Sequence, residues 1–549
     1  MASPRPTDTM RAAVAPRRHT RLPCAAVALV AVAMSCGSKT GLRVPERDSS
    51  VPARPPAPRP IWPLSTLVVT THRPTLEWRN APGESNARLE LARERSFARI
   101  LRSEVVSAER WRPVEPLEPG AWFWRLASET TGNQSATWVF RVPRRDSAND
   151  SVLGFMEDYN ADGLGDILVT GTTDVVGPSD ESTWIHFGRR GQQPGEPVQV
   201  PVTTRLGTWR YAVDDMTGEG FRGFGANYER EHPRLRADVF LGVETGAPQF
   251  HATVPGSATR AGDIDRDGYG DALLIQGVPV SLRSVRGGPQ GATVLGRLGP
   301  PPGVAAGVTA VLWKAGLDVD GDREFDVIVL YEGEADLAIA IHHGPLLATS
   351  RVTLLRVPRR CHRGWGAVAD FNCDGYPDTV FGGCGRRLVS VIYGGPAPRV
   401  ADFLLPPRTT GWDPTDPTTD FVLDSVGDID ADGCDDAIAL VPVFGVNGTT
   451  DLGALLYRGG EGGLSNEPAW TLRPPRPDQA FASGACGCGD IDGDGIDDLV
   501  INSTTDARAS LYVYSGRAGR LPDRPSFVIA RPGSVAGPTA GYALQVATP

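Results

Sequence analysis

Aspartates recur in this chain at a spacing that suits a bound cation. The clearest example is residues 263–271, DIDRDGYGD, which an apolar run follows at 272–275. Carboxylates at positions 1, 3, 5 and 9 of such a tight turn converge on one point, and the glycine at position 6 lets the backbone bring the position-7 carbonyl oxygen there too. Hard oxygen ligands in that number suit Ca²⁺, so the loop is predicted to bind calcium.

The loop is repeated along the chain. Seven copies begin at Asp158, Asp215, Asp263, Asp318, Asp370, Asp428 and Asp490, with steps of 57, 48, 55, 52, 58 and 62 residues. A steady period of about 50 residues indicates one supersecondary unit copied side by side. An EF-hand is excluded because its longer loop lies between two helices, whereas short β-type runs flank these loops. Aspartate and glycine that only mark turns would explain one copy, but not six near-complete ones.

Six copies are predicted to bind calcium, each through four side chains and the position-7 carbonyl. The predicted ligands are Asp158, Asn160, Asp162, Leu164 and Asp166; Asp263, Asp265, Asp267, Tyr269 and Asp271; Asp318, Asp320, Asp322, Glu324 and Asp326; Asp370, Asn372, Asp374, Tyr376 and Asp378; Asp428, Asp430, Asp432, Cys434 and Asp436; and Asp490, Asp492, Asp494, Ile496 and Asp498. In the fourth loop, Arg323 replaces the glycine, so we expect binding with strain. The second loop has Gly223 at position 9 and is expected to bind no ion.

The elements around the loops resemble a known repeat. The loop and a later strand that ends in glycine, read as VIYGG at 391–395, LYRGGEGGL at 456–464 and VYSG at 513–516, resemble the FG-GAP repeat of integrin α-chain propellers and bacterial VCBS-type proteins. The resemblance implies that each calcium loop joins the first two strands of a four-stranded blade. The implied fold is all-β, a seven-bladed β-propeller over 147–549, and residues 541–547 resemble one more first strand that closes or caps the ring.

A separate β-pattern precedes the propeller. Residues 62–144 resemble a fibronectin type III β-sandwich, since LEPGAWF at 117–123 matches that family's turn into strand F. Phe123 stands where a tyrosine usually forms a hydrogen bond. Tryptophans of this segment are expected in its core. Residues 36–61, rich in proline, arginine and serine, are expected to be a disordered tether.

The N-terminus predicts export. Residues 1–35 have a basic region and then an apolar stretch, 22–34, that is too short to span a membrane. The end of the stretch, AMSCG, resembles a bacterial lipobox, which implies that Cys36 becomes the first mature residue and carries lipid. An ordinary signal peptide with an incidental cysteine is the alternative. We expect an exported lipoprotein at the outer membrane or surface of a bacterium, held to the membrane by its lipid alone.

The charge and the cysteine content limit which partners and cross-links are expected. The net charge is −10, and −14 without residues 1–35, which hold five arginines and one aspartate, so six calcium ions would nearly neutralise the chain. Without a basic patch, nucleic acid is excluded as a partner. Six cysteines remain after the signal and anchor, and an exported protein is expected to pair them as disulfides, with zinc ligation as the alternative. They are Cys361, Cys373, Cys384, Cys434, Cys486 and Cys488.

Two functions remain open from the sequence. No HExxH, GxSxG or P-loop motif is present, so we predict a non-enzyme that binds an unknown protein or glycan, in adhesion or as a scaffold. The alternative is an extracellular polysaccharide lyase or hydrolase, for which His342 and His343 are the best catalytic candidates. The longest loops between second and third strands, with tips at 174–184 and 444–451, are predicted to form the ligand face.

Overall fold

The computed structural model describes residues 57–543 apart from internal stretches. The ranges outside the description are 1–56, 173–180, 202–208, 232–233, 277–280, 289–292, 306–307, 334–335, 346–350, 359–361, 384–387, 405–421, 441–453, 473–479, 505–509, 521–522, 531–541 and 544–549. The predicted signal peptide and the lipid anchor at Cys36 lie outside the described residues, as does most of the predicted ligand face.

All regular structure in the described residues is β-strand, which confirms the all-β class. The strands form many small sheets, none of which closes into a barrel. Within the described ranges, no helix has the length and apolar character needed to cross a membrane.

Two sheets form the N-terminal part. Their strands are β1 Arg59–Trp62, β2 Leu67–Val69, β3 Leu76–Arg79, β4 Ala87–Ala92, β5 Ile100–Val106, β6 Arg110–Trp111, β7 Gly120–Ala127, β8 Trp138–Val142 and β9 Val152–Phe155. One sheet has the order β1–β3–β6 and the other β5–β4–β7–β8–β2–β9. Strand β1 therefore begins three residues inside the segment expected to be a tether, and β9 lies beyond the predicted end of the sandwich at 144.

Aromatic side chains form the core of this N-terminal part. Trp78, Trp124, Trp138 and Phe123 are fully buried. The rings of Trp124 and Trp138 meet edge to face with centroids 5.9 Å apart, a favoured aromatic geometry. The tryptophans thus lie in the core, where the sequence places them.

The described residues after β9 form seven four-stranded antiparallel sheets. Their strands are β10 Ile167–Thr172, β11 Glu181–His186, β12 Val198–Val200; β13 Trp209–Val213, β14 Gly223–Glu231, β15 Arg234–Leu241, β16 Gln249–Pro255; β17 Ser257–Gly262, β18 Asp271–Gln276, β19 Ser281–Arg286, β20 Thr293–Leu298; β21 Thr309–Leu317, β22 Asp326–Glu332, β23 Asp336–His342, β24 Val352–Pro358; β25 His362–Ala369, β26 Asp378–Gly383, β27 Leu388–Tyr393, β28 Arg399–Leu404; β29 Val422–Gly427, β30 Asp436–Leu440, β31 Ala454–Tyr457, β32 Trp470–Leu472; β33 Ala480–Gly487, β34 Leu499–Thr504, β35 Ser510–Tyr514, β36 Phe527–Ala530; and β37 Tyr542–Ala543.

The last strand completes the first sheet. Strand β37 pairs antiparallel with β10, Ala543 opposite Thr170 and Tyr542 opposite Gly171, which gives the order β12–β11–β10–β37. The chain end therefore supplies the strand that the other six sheets receive from their own unit. The segment that resembled an extra first strand pairs in that position.

Neighbouring sheets share buried apolar clusters. Such clusters join the first sheet to the second and so on along the chain, and one joins the seventh back to the first. In this last cluster, Ile167 packs with Val500 and Val513. Because a sheet between two neighbours is covered on both faces, a central strand can be continuously apolar, as β22 is from Val327 to Tyr331.

Candidate metal centre

Each loop closes around the carboxylate at its first position. In the third loop, Asp263 accepts hydrogen bonds from the N–H groups of Asp267, at 3.0 Å, and Gly268, at 2.7 Å. Both contacts recur at Asp158, Asp318 and Asp370, and the contact to position 6 recurs at Asp428 and Asp490. Because aspartate readily accepts bonds from backbone donors just ahead of it, local sequence is enough to form this turn.

The aspartate at position 9 connects the loop to the end of the third strand. In the first loop, Asp166 accepts hydrogen bonds from the N–H groups of Tyr159, at 2.7 Å, and Gly188, at 3.0 Å. The glycine contact recurs at 2.8–3.0 Å in the other five complete loops, from Gly287, Gly344, Gly394, Gly459 and Gly516. Sequence reasoning noticed the glycine that ends this strand but missed that it holds a ligand in place.

Two positions of the loop have a left-handed backbone. At position 6, φ lies between +83° and +94° in the six loops with glycine there, and Arg323 takes the same place at +68°. A residue with a Cβ is strained at that angle, as the sequence predicts. Position 4 is also left-handed, at +52° to +62°, in loops where it holds Ala161, Arg266, Cys373 and Ala431. These residue types do not signal that conformation, but position 4 is glycine in the other three loops, Gly218, Gly321 and Gly493, at +70° to +77°.

The carboxylates of the loops converge. In four loops, three of them offer oxygen atoms that all lie within 4.8 Å of one another. These groups are Asp263, Asp265 and Asp271; Asp318, Asp320 and Asp322; Asp428, Asp430 and Asp432; and Asp490, Asp492 and Asp498. In the two asparagine loops the amide lies against position 5, since Asn160 donates to Asp162 at 3.0 Å and Asn372 to Asp374 at 2.8 Å.

Several of these oxygens are buried without a hydrogen-bond partner. They include Oδ1 of Asp265, Asp320 and Asp428 and Oδ2 of Asp436. An anionic oxygen that is withdrawn from water and left unpaired is costly, and a divalent cation at the convergence point would remove that cost. The donor set of carboxylates, amides and a carbonyl is the set that Ca²⁺ prefers, so the residues present fit this ion.

Burial alters the acidity of the same carboxyl groups. It raises the pKa of Asp263 to about 8 and that of Asp271 to about 9, and neighbouring carboxylates add to the effect at Asp271. The pKa values of Asp428 and Asp436 rise to about 8 and about 9, again mainly through burial. Without a cation, these loops therefore retain protons near neutral pH, and a bound divalent ion would displace them.

The second loop keeps the turn but lacks the ligands. Asp215 accepts the Thr217 N–H at 3.2 Å and the Gly220 N–H at 2.5 Å. Position 9 is Gly223, and the carboxylates described around this loop do not make a metal-binding group. The side chain before it, Arg222, is buried and lies 3.4 Å from Glu157. That this loop binds no ion stays a prediction.

The N-terminal sheets and the segment after them lie on the loops. Ser65 Oγ donates to the Gly220 carbonyl oxygen in the second loop, at 2.8 Å. Glu77 accepts from Arg266 at 2.8 Å and from Arg323 at 3.2 Å, in the third and fourth loops. The same arrangement continues at the fifth and seventh loops through Asn149, 2.9 Å from the Gly375 carbonyl, and Arg144, 2.9 Å from the Gly495 carbonyl. The loops are therefore the surface on which the N-terminal sheets rest.

Four of the six cysteines lie in pairs at disulfide distance. Cys373, in the fifth loop, pairs with Cys434, in the sixth, with a Cα–Cα distance of 5.0 Å. Cys486 pairs with Cys488 at a Cα–Cα distance of 5.2 Å. Cys361 and Cys384 lie outside the described residues. The paired sulfurs leave no thiolate among these four for the zinc site considered as the alternative.

The two candidate catalytic histidines are buried. His342 is 4% exposed and His343 1% exposed, at the end of β23. Burial lowers the pKa of His342 to about 4. A polymeric substrate cannot reach either ring, so neither supports a polysaccharide-cleaving site. Trp184, predicted at the edge of the ligand face, is also buried.

Comparisons with known proteins give no family. No protein-family model and no curated protein matches the chain. Among solved structures, it is similar to Bacillus licheniformis rhamnogalacturonan lyase PL11, with 12% identity over 86% of this chain and 77% of that one and a TM-score of 0.27. It is also similar to the exotype rhamnogalacturonan lyase YesX, with 12% identity over 87% of this chain and 86% of that one and a TM-score of 0.26.

Proposed function

We propose that this chain is a metal-stabilised, seven-bladed β-propeller in which each of six loops holds a divalent cation. The oxygen ligands of the loops favour calcium as this cation. The observation that carries the proposal is the repeated convergence of carboxylates, of which several oxygen atoms are buried without a hydrogen-bond partner. A bound cation would supply positive charge that compensates four crowded acidic groups. The position-1 and position-9 aspartates then fix the turn and the third strand around it.

Three features support the propeller architecture. Seven consecutive four-stranded sheets follow one another, buried clusters run from each sheet to the next and from the seventh to the first, and β37 completes the first sheet. Hydrogen bonds between neighbouring loops follow the same circular order. The Gly270 N–H of the third loop donates to the Asp215 carbonyl of the second, at 2.7 Å. The Gly165 N–H of the first loop donates to the Asp490 carbonyl of the seventh, at 2.8 Å.

Metal removal tests the stabilising role. A ligand that binds only the folded chain adds roughly 2.7 kcal/mol per site at a hundredfold excess over its Kd, and six sites would add together if the ring unfolds as one unit. We expect EDTA to lower the melting temperature by more than about ten degrees. Calcium should restore it better than magnesium, which requires stricter octahedral geometry. An unchanged melting curve in EDTA would refute the role.

For the external ligand we propose a polysaccharide, the class common to both functions predicted from the sequence. The two solved structures are named as polysaccharide lyases, which agrees with the lyase alternative and not with adhesion. At their TM-scores this agreement is no argument for catalysis. The test is incubation of the purified chain with acidic polysaccharides, rhamnogalacturonan included, followed by absorbance of unsaturated products and by a binding assay. Product formation would establish a lyase, and retention without product formation would establish a binder. The absence of both product and retention would contradict the proposal.

We propose the cell surface as the location of the chain. The basic and apolar residues at 17–34 and the lipobox-like residues around Cys36 support export and a lipid anchor. A Cys36→Ser variant should then be lost from the membrane fraction. Recovery of the unaltered protein in the soluble fraction would refute the anchor.

A further inference from the structure

A side chain from the third strand reaches position 3 of several loops. This residue directly precedes the glycine that bonds position 9. In the third loop Arg286 forms an ion pair with Asp265, in the sixth Arg458 lies 2.5 Å from Asp430, and in the seventh Ser515 donates to Asp492 at 2.8 Å. In the first and fifth loops position 3 is asparagine, and an aromatic residue precedes the glycine: these are Phe187 and Tyr393.

The third-strand residue is complementary to the residue at position 3 of its loop. A cation or a hydroxyl donor accompanies an aspartate, whereas an uncharged asparagine has an aromatic neighbour. Arginine does not ligate metals and compensates the carboxylate only from outside the ion's coordination shell. In the third and sixth loops the third-strand residue therefore lowers the net negative charge of the loop.

In the fourth loop this residue is His343, whose imidazole can itself bind a metal. Its Nδ1 lies 3.1 Å from Asp320 Oδ2 and 3.6 Å from Asp326 Oδ1. One ligand atom from each of the three residues lies within 4.8 Å of the other two. The imidazole is 1% exposed, its Nδ1 faces no group other than these two carboxylates, and Asp320 Oδ1 has no hydrogen-bond partner.

The other ring nitrogen is already engaged. His343 Nε2 lies 2.9 Å from Thr353 Oγ1, on β24. When Nε2 carries the proton and donates it to the hydroxyl, the lone pair of Nδ1 points to the two carboxylates. A metal-binding histidine is normally oriented by such a bond from its second nitrogen.

We propose that the fourth loop binds a zinc-class divalent cation through Asp320, Asp326 and His343, while the other five complete loops bind calcium. This inference rests on the proposed metal-binding role of the loops and changes the ion expected in one of them. Imidazole nitrogen together with carboxylate oxygen is a donor set that Zn²⁺ takes readily, whereas Ca²⁺ is bound by oxygen. The fourth loop is also the one in which arginine, Arg323, replaces the glycine at position 6.

A proton on His343 Nδ1 in place of a metal would lead to the opposite prediction for the ion of the fourth loop. If His343 carries a proton on each nitrogen, it compensates Asp320 in the way that Arg286 compensates Asp265, and calcium remains the ion of the fourth loop. Arg351 also contacts Asp320, but its side chain is 60% exposed and is free to turn into solvent. The two states therefore differ in which metal is bound and in whether nitrogen coordinates it.

The test is metal analysis of the full-length protein, stripped with chelator and dialysed against equal Ca²⁺ and Zn²⁺. We expect five equivalents of calcium and one of zinc. X-ray absorption at the zinc edge should show one nitrogen among oxygen ligands, a readout that needs no variant. Calcium in place of zinc, or zinc without nitrogen, would overturn the proposal.

Two variants and a control locate the site. His343→Gln should lose the zinc equivalent, and His343→Arg, which copies the third and sixth loops, should lose zinc and gain a sixth calcium. His342→Gln is the matched control, since it alters the adjacent buried histidine outside the three-ligand group, and it should keep the zinc. Zinc retained in both His343 variants would refute the assignment. Zinc bound as described with no calcium elsewhere would contradict the proposed function but not this site.

Discussion

At the scale of single residues, the position-9 aspartate serves the metal site and the fold together. Asp498 accepts hydrogen bonds from Ile491 within its loop, at 2.8 Å, and from Gly516 at the end of β35, at 2.9 Å. It is fully buried, and burial raises its pKa to about 8. The same side chain thus closes the loop, holds a neighbouring strand and faces the convergence point.

Removal of one carboxylate should show which loops hold a cation. Asp265→Ala takes a half-buried ligand from a complete loop, and we expect the loss of one calcium per chain. The melting temperature should fall, since that site's contribution, roughly 2.7 kcal/mol at a hundredfold excess of calcium, is lost. Asp215→Ala is the matched control, because the second loop has no aspartate at position 9.

The number of metal ions bound by each purified variant decides between them. Stability alone does not, because the control also loses the hydrogen bonds that Asp215 accepts from backbone N–H groups. Equal losses of calcium from the two variants would show that the second loop binds an ion after all.

How much the sequence revealed differs from residue to residue. Aspartate spacing was enough to predict the converging groups around Asp263, Asp318, Asp428 and Asp490, because the turn depends on local hydrogen bonds. The part played by His343 was not visible, since it comes from a strand that approaches Asp320 only after the sheet has formed. The hydrogen bonds that Glu77 accepts from the third and fourth loops could not be predicted for the same reason.

At the scale of the strands, the end of the third strand fits closely against a loop backbone. An added Cβ at Gly459 would clash with the carbonyl oxygen of Asp435, and one at Gly516 with that of Asp497. Both glycines also donate to a position-9 aspartate. Glycine at this place is therefore required by close approach, which explains why the repeated strand ends as it does.

A pair of adjacent glycines tests this fit. Gly459→Ala should destabilise the fold by about 1–3 kcal/mol, as overpacking against fixed backbone does. Gly460→Ala should be nearly neutral, because no atom lies within 4 Å of its added Cβ and its N–H can still donate to the Phe371 carbonyl. Chemical denaturation of the two variants measures the difference. Equal destabilisation would show that the close approach at Gly459 does not matter.

At the scale of the whole molecule, the N-terminal sheets and the seven repeated sheets share a core. Trp62 of β1 packs on Phe325 of the fourth loop, with ring centroids 5.5 Å apart. Arg141 of β8 forms a buried ion pair with Asp497 in the seventh loop. Because the loops support the N-terminal sheets, a cation that orders a loop also orders the contacts made to it.

The sequence predicted less at this scale. The all-β class and the repeated unit follow from alternation and period, as does the presence of β-strands ahead of the repeats. The boundaries of that segment did not, because β9 joins the N-terminal six-stranded sheet only through pairing with the distant β2. Pairing of Tyr542–Ala543 with β10 is likewise a contact between chain ends, which only the folded chain reveals.

The most direct test of the account is the position of bound metal in a crystal of the full-length protein grown with calcium and a trace of zinc. An anomalous-difference map, recorded at wavelengths that separate the two elements, should show a peak at each of the six complete loops and none at Asp215. A map without peaks in these loops, or with a peak of equal height at Asp215, would contradict the central claim that the repeated aspartates are metal ligands.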